Sequence, residues 1–288
     1  MKLSRGVSYM IASALGFSVM AVLVKVAAAR LPMGEIVLAR TIVTLVVSYA
    51  MVRRLDLRPW GTNKRGLVLR GFLGFAGLTL YYLSLALLPL ADATTLQQTV
   101  PLITTLIAWA YLRERVGWHT AVALACGIAG VSMIVHPSGA GLDPVGIGLG
   151  LGAALCSSMA YITVRQLTRT ENPLVIVFYF PLIATPLAVP WAAATWVTPV
   201  PLDLLLLVAI GLATQWAQVY LTKALAIETA SRATSIGYIQ VAFAMVWQWI
   251  VFSSAPTIWT LAGAALIVAG TITVARAKPR VVPASPVE

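Results

Sequence analysis

The sequence predicts an all-α membrane protein of ten transmembrane helices, arranged as two inverted five-helix repeats with the N and C termini cytoplasmic. Three observations carry this. Of the 288 residues, 60% are hydrophobic and only 10% charged, where a soluble domain is about 25% charged, so a water-facing surface cannot be built. Apolar runs near the ~20 residues that cross a hydrocarbon core follow one another along the chain and leave no room for a soluble catalytic domain. The basic residues fall in alternate connecting segments, the pattern of a multi-pass chain with one basic face.

The runs read in order as 7–28, 34–53, 66–87, 91–112, 117–136, 146–166, 173–194, 203–226, 230–253 and 256–275. Lys2 and Arg5 before the first run, with Ala27-Ala28-Ala29 after it, imitate a secretory signal. That run is nevertheless long enough to span, and it has a counterpart later in the chain. Breakers separate the rest: Pro32-Met33-Gly34, Pro59 to Gly61, Pro89, Gly117, Pro137 to Pro144, Pro173, Pro199 to Pro201, and Pro256. The fourth and eighth runs are the most polar and the least suited to face lipid. Residues 1–137 form the first repeat, 145–276 the second, and 277–288, with three prolines, a disordered cytoplasmic tail.

The net charge of +11 would suggest nucleic acid on a soluble protein. Here the positive-inside rule accounts for it, and no nucleic-acid partner is expected. One set of segments holds 17 of the 20 basic residues, from Lys2 and Arg5 through Arg53, Arg70, Arg113, Arg165 and Arg232 to Arg280. Lys25 and Arg30 lie on the other side and Arg40 within the second run. With five runs per half, the second half must be inverted. The halves align at an offset of 140: Gly6-Val7-Ser8 with Gly146-Ile147-Gly148, Ser18 with Ser158, Lys25 with Arg165, Ala93-Thr94-Thr95 with Ala233-Thr234-Ser235, Gly130 with Gly270. Inverted repeats recur in secondary transporters, with substrate near the bilayer midplane. A small-molecule transporter working by alternating access is therefore expected.

Specific motifs sharpen this. The stretch Tyr81-Tyr82-Leu83-Ser84-Leu85-Ala86-Leu87, then Ala91-Asp92-Ala93-Thr94, Pro101-Leu102, Ala108-Trp109 and Arg113-Glu114-Arg115 resembles the third and fourth helices of the EamA family in the drug/metabolite transporter superfamily. The family pattern ends in Gly-Glu-Arg, and Arg113 stands where Gly is usual. The second copy, Phe252 to Thr257 with Trp259 to Gly270, resembles it too, with Ser254 in place of Glu. Arg40 matches an arginine the family often carries. The resemblance implies an inner-membrane transporter whose partners are a small-molecule substrate and the lipid bilayer. Amino-acid export is the leading class, with aromatic or other bulky neutral amino acids first. Uptake or exchange of a flat metabolite such as riboflavin or a nucleoside-like compound is the alternative.

Polar groups inside a membrane helix are costly and face a cavity or another helix. On the fourth run Thr94, Gln98, Pro101 and Thr105 share one face, with Gln97 beside it. Pro101 removes a backbone hydrogen bond and can bend the helix. Gln215 and Gln218 share a face of the eighth run, Tyr238 lies on the ninth, Tyr81 and Tyr82 on the third, Tyr161 on the sixth. The candidate substrate-binding set is Tyr82, Thr94, Gln97, Gln98, Tyr161, Gln215, Gln218, Tyr238, Lys25 and Arg40. Lys25 could equally snorkel to the outer interface, and Arg40 could pair with Glu35 or donate to helix-end carbonyls. Pro101 and Glu114 are gating or structural candidates, Glu114 forming either a gate ion pair or a local solvated pair with Arg113 or Arg115. Trp60, Trp118, Trp191, Trp196 and Trp259, near run ends, read as an interfacial belt.

No Asp or Glu falls in the middle of a run, so transport without a midplane acid is expected: facilitated, exchange-like, or coupled by other means. His119 and His136 sit near run ends, Cys126 and Cys156 make no metal-like spacing, and no His-Glu-x-x-His or Gly-x-Ser-x-Gly occurs. An enzyme is not expected, nor a metal or cofactor. Gly127 to Gly130 and Gly263 to Ala265 allow close helix packing, either within one protomer or in a homodimer.

Overall fold

The computed structural model describes residues 4–88, 90–135, 143–253 and 257–277. Pro89, the 136–142 linker with His136, Ser254-Ala255-Pro256 and the tail from 278 lie outside them. Within the described residues the secondary structure is helical, in twelve segments: α1 Arg5–Ala27, α2 Met33–Arg54, α3 Lys64–Leu87, α4 Leu90–Gln97, α5 Val100–Tyr111, α6 Trp118–Val135, α7 Pro144–Leu167, α8 Pro173–Ala194, α9 Pro201–Ile227, α10 Ala230–Ile236, α11 Ile239–Phe252 and α12 Ile258–Arg276. Eight stretches, counting Ala230–Val251 as one, are long and apolar enough to cross a membrane, and Trp118–Ile134 is a shorter apolar helix.

Local chemistry sets the boundaries. Ser4, Asn63, Asp143, Asn172, Thr229 and Thr257 each accept an N–H of the helix they open, which satisfies groups the first turn leaves orphaned. Pro144, Pro173 and Pro201 stand at N1 of α7, α8 and α9, where a missing N–H costs nothing. Three further prolines, Pro181, Pro186 and Pro190, lie inside α8, which stays one helix.

The fourth predicted run is two helices. Pro101 opens α5 instead of bending a continuous helix. Without an N–H it cannot bond back one turn, and its ring would crowd the Gln97 carbonyl. The ninth run is also broken, at Gly237-Tyr238, with no proline there. The eighth, doubted for its polarity, is the longest helix, α9.

The two breaks meet. Tyr238 is 1% exposed, and its hydroxyl donates to the Gln98 carbonyl at 2.9 Å. Ser158 Oγ donates to the Val100 carbonyl at 3.1 Å. Both carbonyls belong to the α4–α5 junction, so side chains from elsewhere satisfy backbone that the broken helix exposes, as an apolar solvent requires.

Packing runs between the halves of the chain. The most extensive contacts are α3 with α7, α1 with α9, α6 with α12 and α2 with α8, followed by α3 with α8, α2 with α9, α1 with α11 and α5 with α7. Gly130 and Gly263 are in backbone contact, so the small-residue runs of α6 and α12 are used within the protomer. Trp191 corrects the belt reading: held against Gly34 and edge-on to Tyr82, ring centroids 5.6 Å apart, it is packed inward. Trp60, Trp118, Trp196 and Trp259 are exposed.

Candidate functional site

A cavity of about 190 Å³ lies between α1, α2, α3, α4, α7, α8 and α9. Along α3 it is walled by Arg70, Gly74, Gly77, Leu78 and Tyr81, a spacing of four, three, one and three that keeps one helix face toward it. Phe17 and Met20 close it from α1, Phe180 from α8, and Ser157, Ala160 and Tyr161 from α7. Polar groups reach in from three more helices: Arg40 on α2, Gln97 on α4 and Gln218 on α9.

The two guanidiniums dominate the electrostatics. Arg70 is 3% exposed and Arg40 8%, and neither has an ion-pair partner among the described residues. Arg70 lies over the Phe180 ring at 4.9 Å from its centroid and donates from Nη2 to Gln218 Oε1 at 3.3 Å. Arg40 Nη1 approaches the Met20 sulfur at 3.7 Å. Tyr161 stands within electrostatic reach of Arg70, and Tyr82 within that of Arg40. The Nε of each arginine is buried without a hydrogen-bond partner, as is Gln97 Oε1. Gln97 Nε2 donates to Ser157 Oγ at 3.3 Å. Gly74 gives Arg70 its room: a Cβ there would run into Arg70 Nη1 and the Phe180 ring. One added at Gly77 would sit 2.8 Å from Ser157 Oγ.

Of the residues expected to bind substrate, the structure brings Arg40, Gln97, Tyr161 and Gln218 together around this cavity. Tyr82 and Thr94 stand behind it, Thr94 Oγ1 at 3.5 Å from the Tyr81 hydroxyl. The others lie elsewhere. Gln98 is at the α4–α5 break and takes part through its carbonyl, because the break interrupts the periodicity that aligned it with Thr105. Tyr238 is consumed by that hydrogen bond and by packing on Gly127. Gln215 is buried against α2, its Nε2 at 3.6 Å from the Met51 sulfur. Lys25 is exposed in the last turn of α1. Arg40 does not pair with Glu35, whose Oε2 accepts the Val197 N–H at 3.3 Å.

Three buried acids tie the segments at the basic end. Glu114 does not make the local, solvated pair with Arg113 or Arg115. It pairs with Arg165 Nε at 3.4 Å and accepts the Ala230 N–H at 3.0 Å, while Arg165 Nη1 donates to the Leu225 and Ala226 carbonyls. Burial pushes the Glu114 carboxyl above the usual carboxylate range, although Arg165 opposes the shift. Glu228 accepts from Ser4 Oγ at 2.6 Å and pairs with Arg232 at 3.1 Å, and Arg232 also donates to the Ala277 carbonyl. Both ends of the described chain therefore meet at one face. Glu171 accepts from the Thr62 hydroxyl and the N–H groups of Thr62 and Asn63. Burial alone would raise its carboxyl, but these bonds outweigh burial and hold it below the usual range.

Sequence reasoning missed Arg70, which charge counting put among the basic-face residues, and Ser157 and Phe180 with it. One signal was available: Arg70, Gly74, Gly77 and Tyr81 lie on one helix face, an arginine followed by two glycines that leave it space.

The family model described as "EamA-like transporter family" matches residues 4–136 and again 144–276. A protein named pseudopaline exporter CntI, from Pseudomonas aeruginosa, is 33% identical over 277 residues, covering 96% of this chain and 98% of the relative. A protein named S-adenosylmethionine uptake transporter, from Rickettsia prowazekii, is 27% identical over 205 residues, 71% of this chain and 69% of the relative. A crystal structure 18% identical in sequence has the same fold, with a TM-score of 0.85 over 94% of this chain and 96% of that one.

Proposed function

The chain belongs to the EamA-like transporter family, a family of membrane transporters matched by both of its halves, and on that premise we propose that it exports amino-acid-like metabolites across the cytoplasmic membrane by alternating access. In this reading the chain crosses the bilayer ten times, as inverted repeats 1–137 and 145–276, with both termini cytoplasmic. The substrate sits in the cavity between α1, α2, α3, α4, α7, α8 and α9.

The single observation that carries the substrate reading is the pair Arg40 and Arg70, buried at the cavity without a carboxylate partner among the described residues. A guanidinium fork matches a carboxylate in two parallel hydrogen bonds. Gln97 Oε1, buried and unpartnered, is an acceptor for an amine. Tyr81, Tyr161 and Phe17 line the cavity with aromatic side chains suited to an apolar body. Aromatic or other bulky neutral amino acids are the first compounds to try, as the simplest molecules that join a carboxylate, an amine and an apolar body. Export is favoured because the relative named an exporter aligns over nearly the whole chain. The relative named an uptake transporter of S-adenosylmethionine favours the second reading, uptake or exchange of a flat nucleoside-like compound.

The test is counterflow in proteoliposomes preloaded with a panel of amino acids. Wild-type protein is expected to exchange at least one labelled amino acid. Gln97→Ala should weaken that exchange roughly tenfold, the worth of one buried hydrogen bond to a charged group. Gln98→Ala, which keeps the carbonyl used in the fold, should leave it near wild type. Folded protein that exchanges no amino acid, but does exchange a nucleoside-like compound, selects the second reading.

A further inference from the structure

Resting on the reading that this cavity holds the substrate, we infer that the substrate carries two separated acidic groups and a net negative charge, so that its passage moves charge across the membrane.

The argument begins from the cost of an unpaired guanidinium away from water. Elsewhere the chain avoids that cost: Arg165 is paired with Glu114 and Arg232 with Glu228, both in buried surroundings. Arg40 and Arg70 are as buried, have no ion-pair partner among the described residues, and face one cavity. Each also keeps its Nε unbonded, so the protein alone does not satisfy all the donors of either guanidinium.

A neutral amino acid does not complete this site. Its one carboxylate would neutralise one arginine, and its ammonium would add a third positive charge where the cavity-lining residues include no acid. Two acidic groups on one molecule answer both guanidiniums, with an amine, where present, falling to Gln97 Oε1. The arginines also come from opposite ends. Arg40 is in the second turn of α2, which runs toward the basic end, and Arg70 in the second turn of α3, which starts from it. That arrangement suits two acids set apart on one molecule better than a single group.

Charge movement follows. The arginines are fixed on helices, so the charge carried across in each loaded passage is that of the substrate. A cytoplasm-negative potential pushes an anion outward, and no proton relay is required.

The experiment compares phenylalanine with N-succinyl-phenylalanine, which share the aromatic body and differ in charge and in the number of carboxylates. Wild-type proteoliposomes are assayed for counterflow of each, then for efflux under potassium diffusion potentials of either sign. The diacid is expected to be exchanged at least ~10-fold more efficiently, the scale of one charge-assisted bidentate pair. Its efflux should speed up with the interior negative and slow with it positive. Arg40→Gln and Arg70→Gln should each lower the preference about tenfold, with Arg40→Lys and Arg70→Lys retaining more of it. Wild-type protein that exchanges phenylalanine as well as the diacid, indifferent to potential, overturns this inference and leaves the transporter reading standing. Folded protein that exchanges neither overturns this inference together with the choice of aromatic amino acids, and leaves the nucleoside-like alternative to be tried.

Discussion

Arg113 follows α5 with φ +54°, a left-handed turn that a residue with a Cβ enters at a cost of about 1 kcal/mol. This is the position where the resembling family pattern has glycine, and the turn gives the physical reason. Ser253, 140 residues later, takes φ +52° at the end of α11, so the second half makes the same turn. Arg113 is exposed and carries no contact the site needs. Arg113→Gly should therefore raise the thermal unfolding midpoint in detergent by roughly 2 °C, about 1 kcal/mol less the added chain entropy of glycine, and leave transport unchanged; an unchanged or lower midpoint would show that the turn is not strained. At this scale the sequence was partly legible. Gln97 and Gln98 are adjacent polar residues that no pattern separates, and only the break decides which side chain faces the cavity. Arg70 was hidden because a charge near a helix end reads as interfacial, while its burial depends on Gly74 and on Phe180 from another helix. Glu114 finds Arg165 at a sequence separation of 51, beyond any local rule.

Among the elements, long continuous helices were legible and interruptions were not. Runs such as α1, α2, α8 and α9 fall within a few residues of the expected limits, because bilayer thickness fixes their length and Pro, Asn, Asp and Ser mark their starts. The break between α4 and α5 was foreshadowed by Pro101, but the one between α10 and α11 has no proline to announce it. The junctions are coupled: Tyr238 of one bonds Gln98 of the other, 140 residues apart. Removing the hydroxyl leaves that carbonyl without the donor that satisfies it. Tyr238→Phe should lower stability by about 1–3 kcal/mol, the cost of an unsatisfied buried acceptor, read as a fall in the unfolding midpoint. It should leave the preference between transported compounds unchanged, since Tyr238 does not line the cavity. A change in selectivity without a change in stability would place Tyr238 at the substrate instead.

For the whole molecule, the repeat was readable as an offset of 140 and reappears in how the halves pack, α1 on α9 as α7 on α3, α1 on α11 as α7 on α5. The cavity was not readable, because its wall is assembled from seven helices and no local pattern specifies which faces meet. Buried acids at the basic end join segments from both halves, while the cavity lies between the helices above them. Alternating access, as proposed, would require contacts of this kind to separate and re-form. The central claim, that one cavity is exposed to each side in turn, is tested most directly at Ser157, which lines it and accepts from Gln97. Ser157→Cys, in a chain whose Cys126 and Cys156 are replaced by serine, would be reconstituted and treated with a membrane-impermeant thiol reagent from one side and then the other. Alternating access predicts reaction from both sides and protection by a transported amino acid. Reaction from one side only, unaltered by substrate on either side, would contradict it.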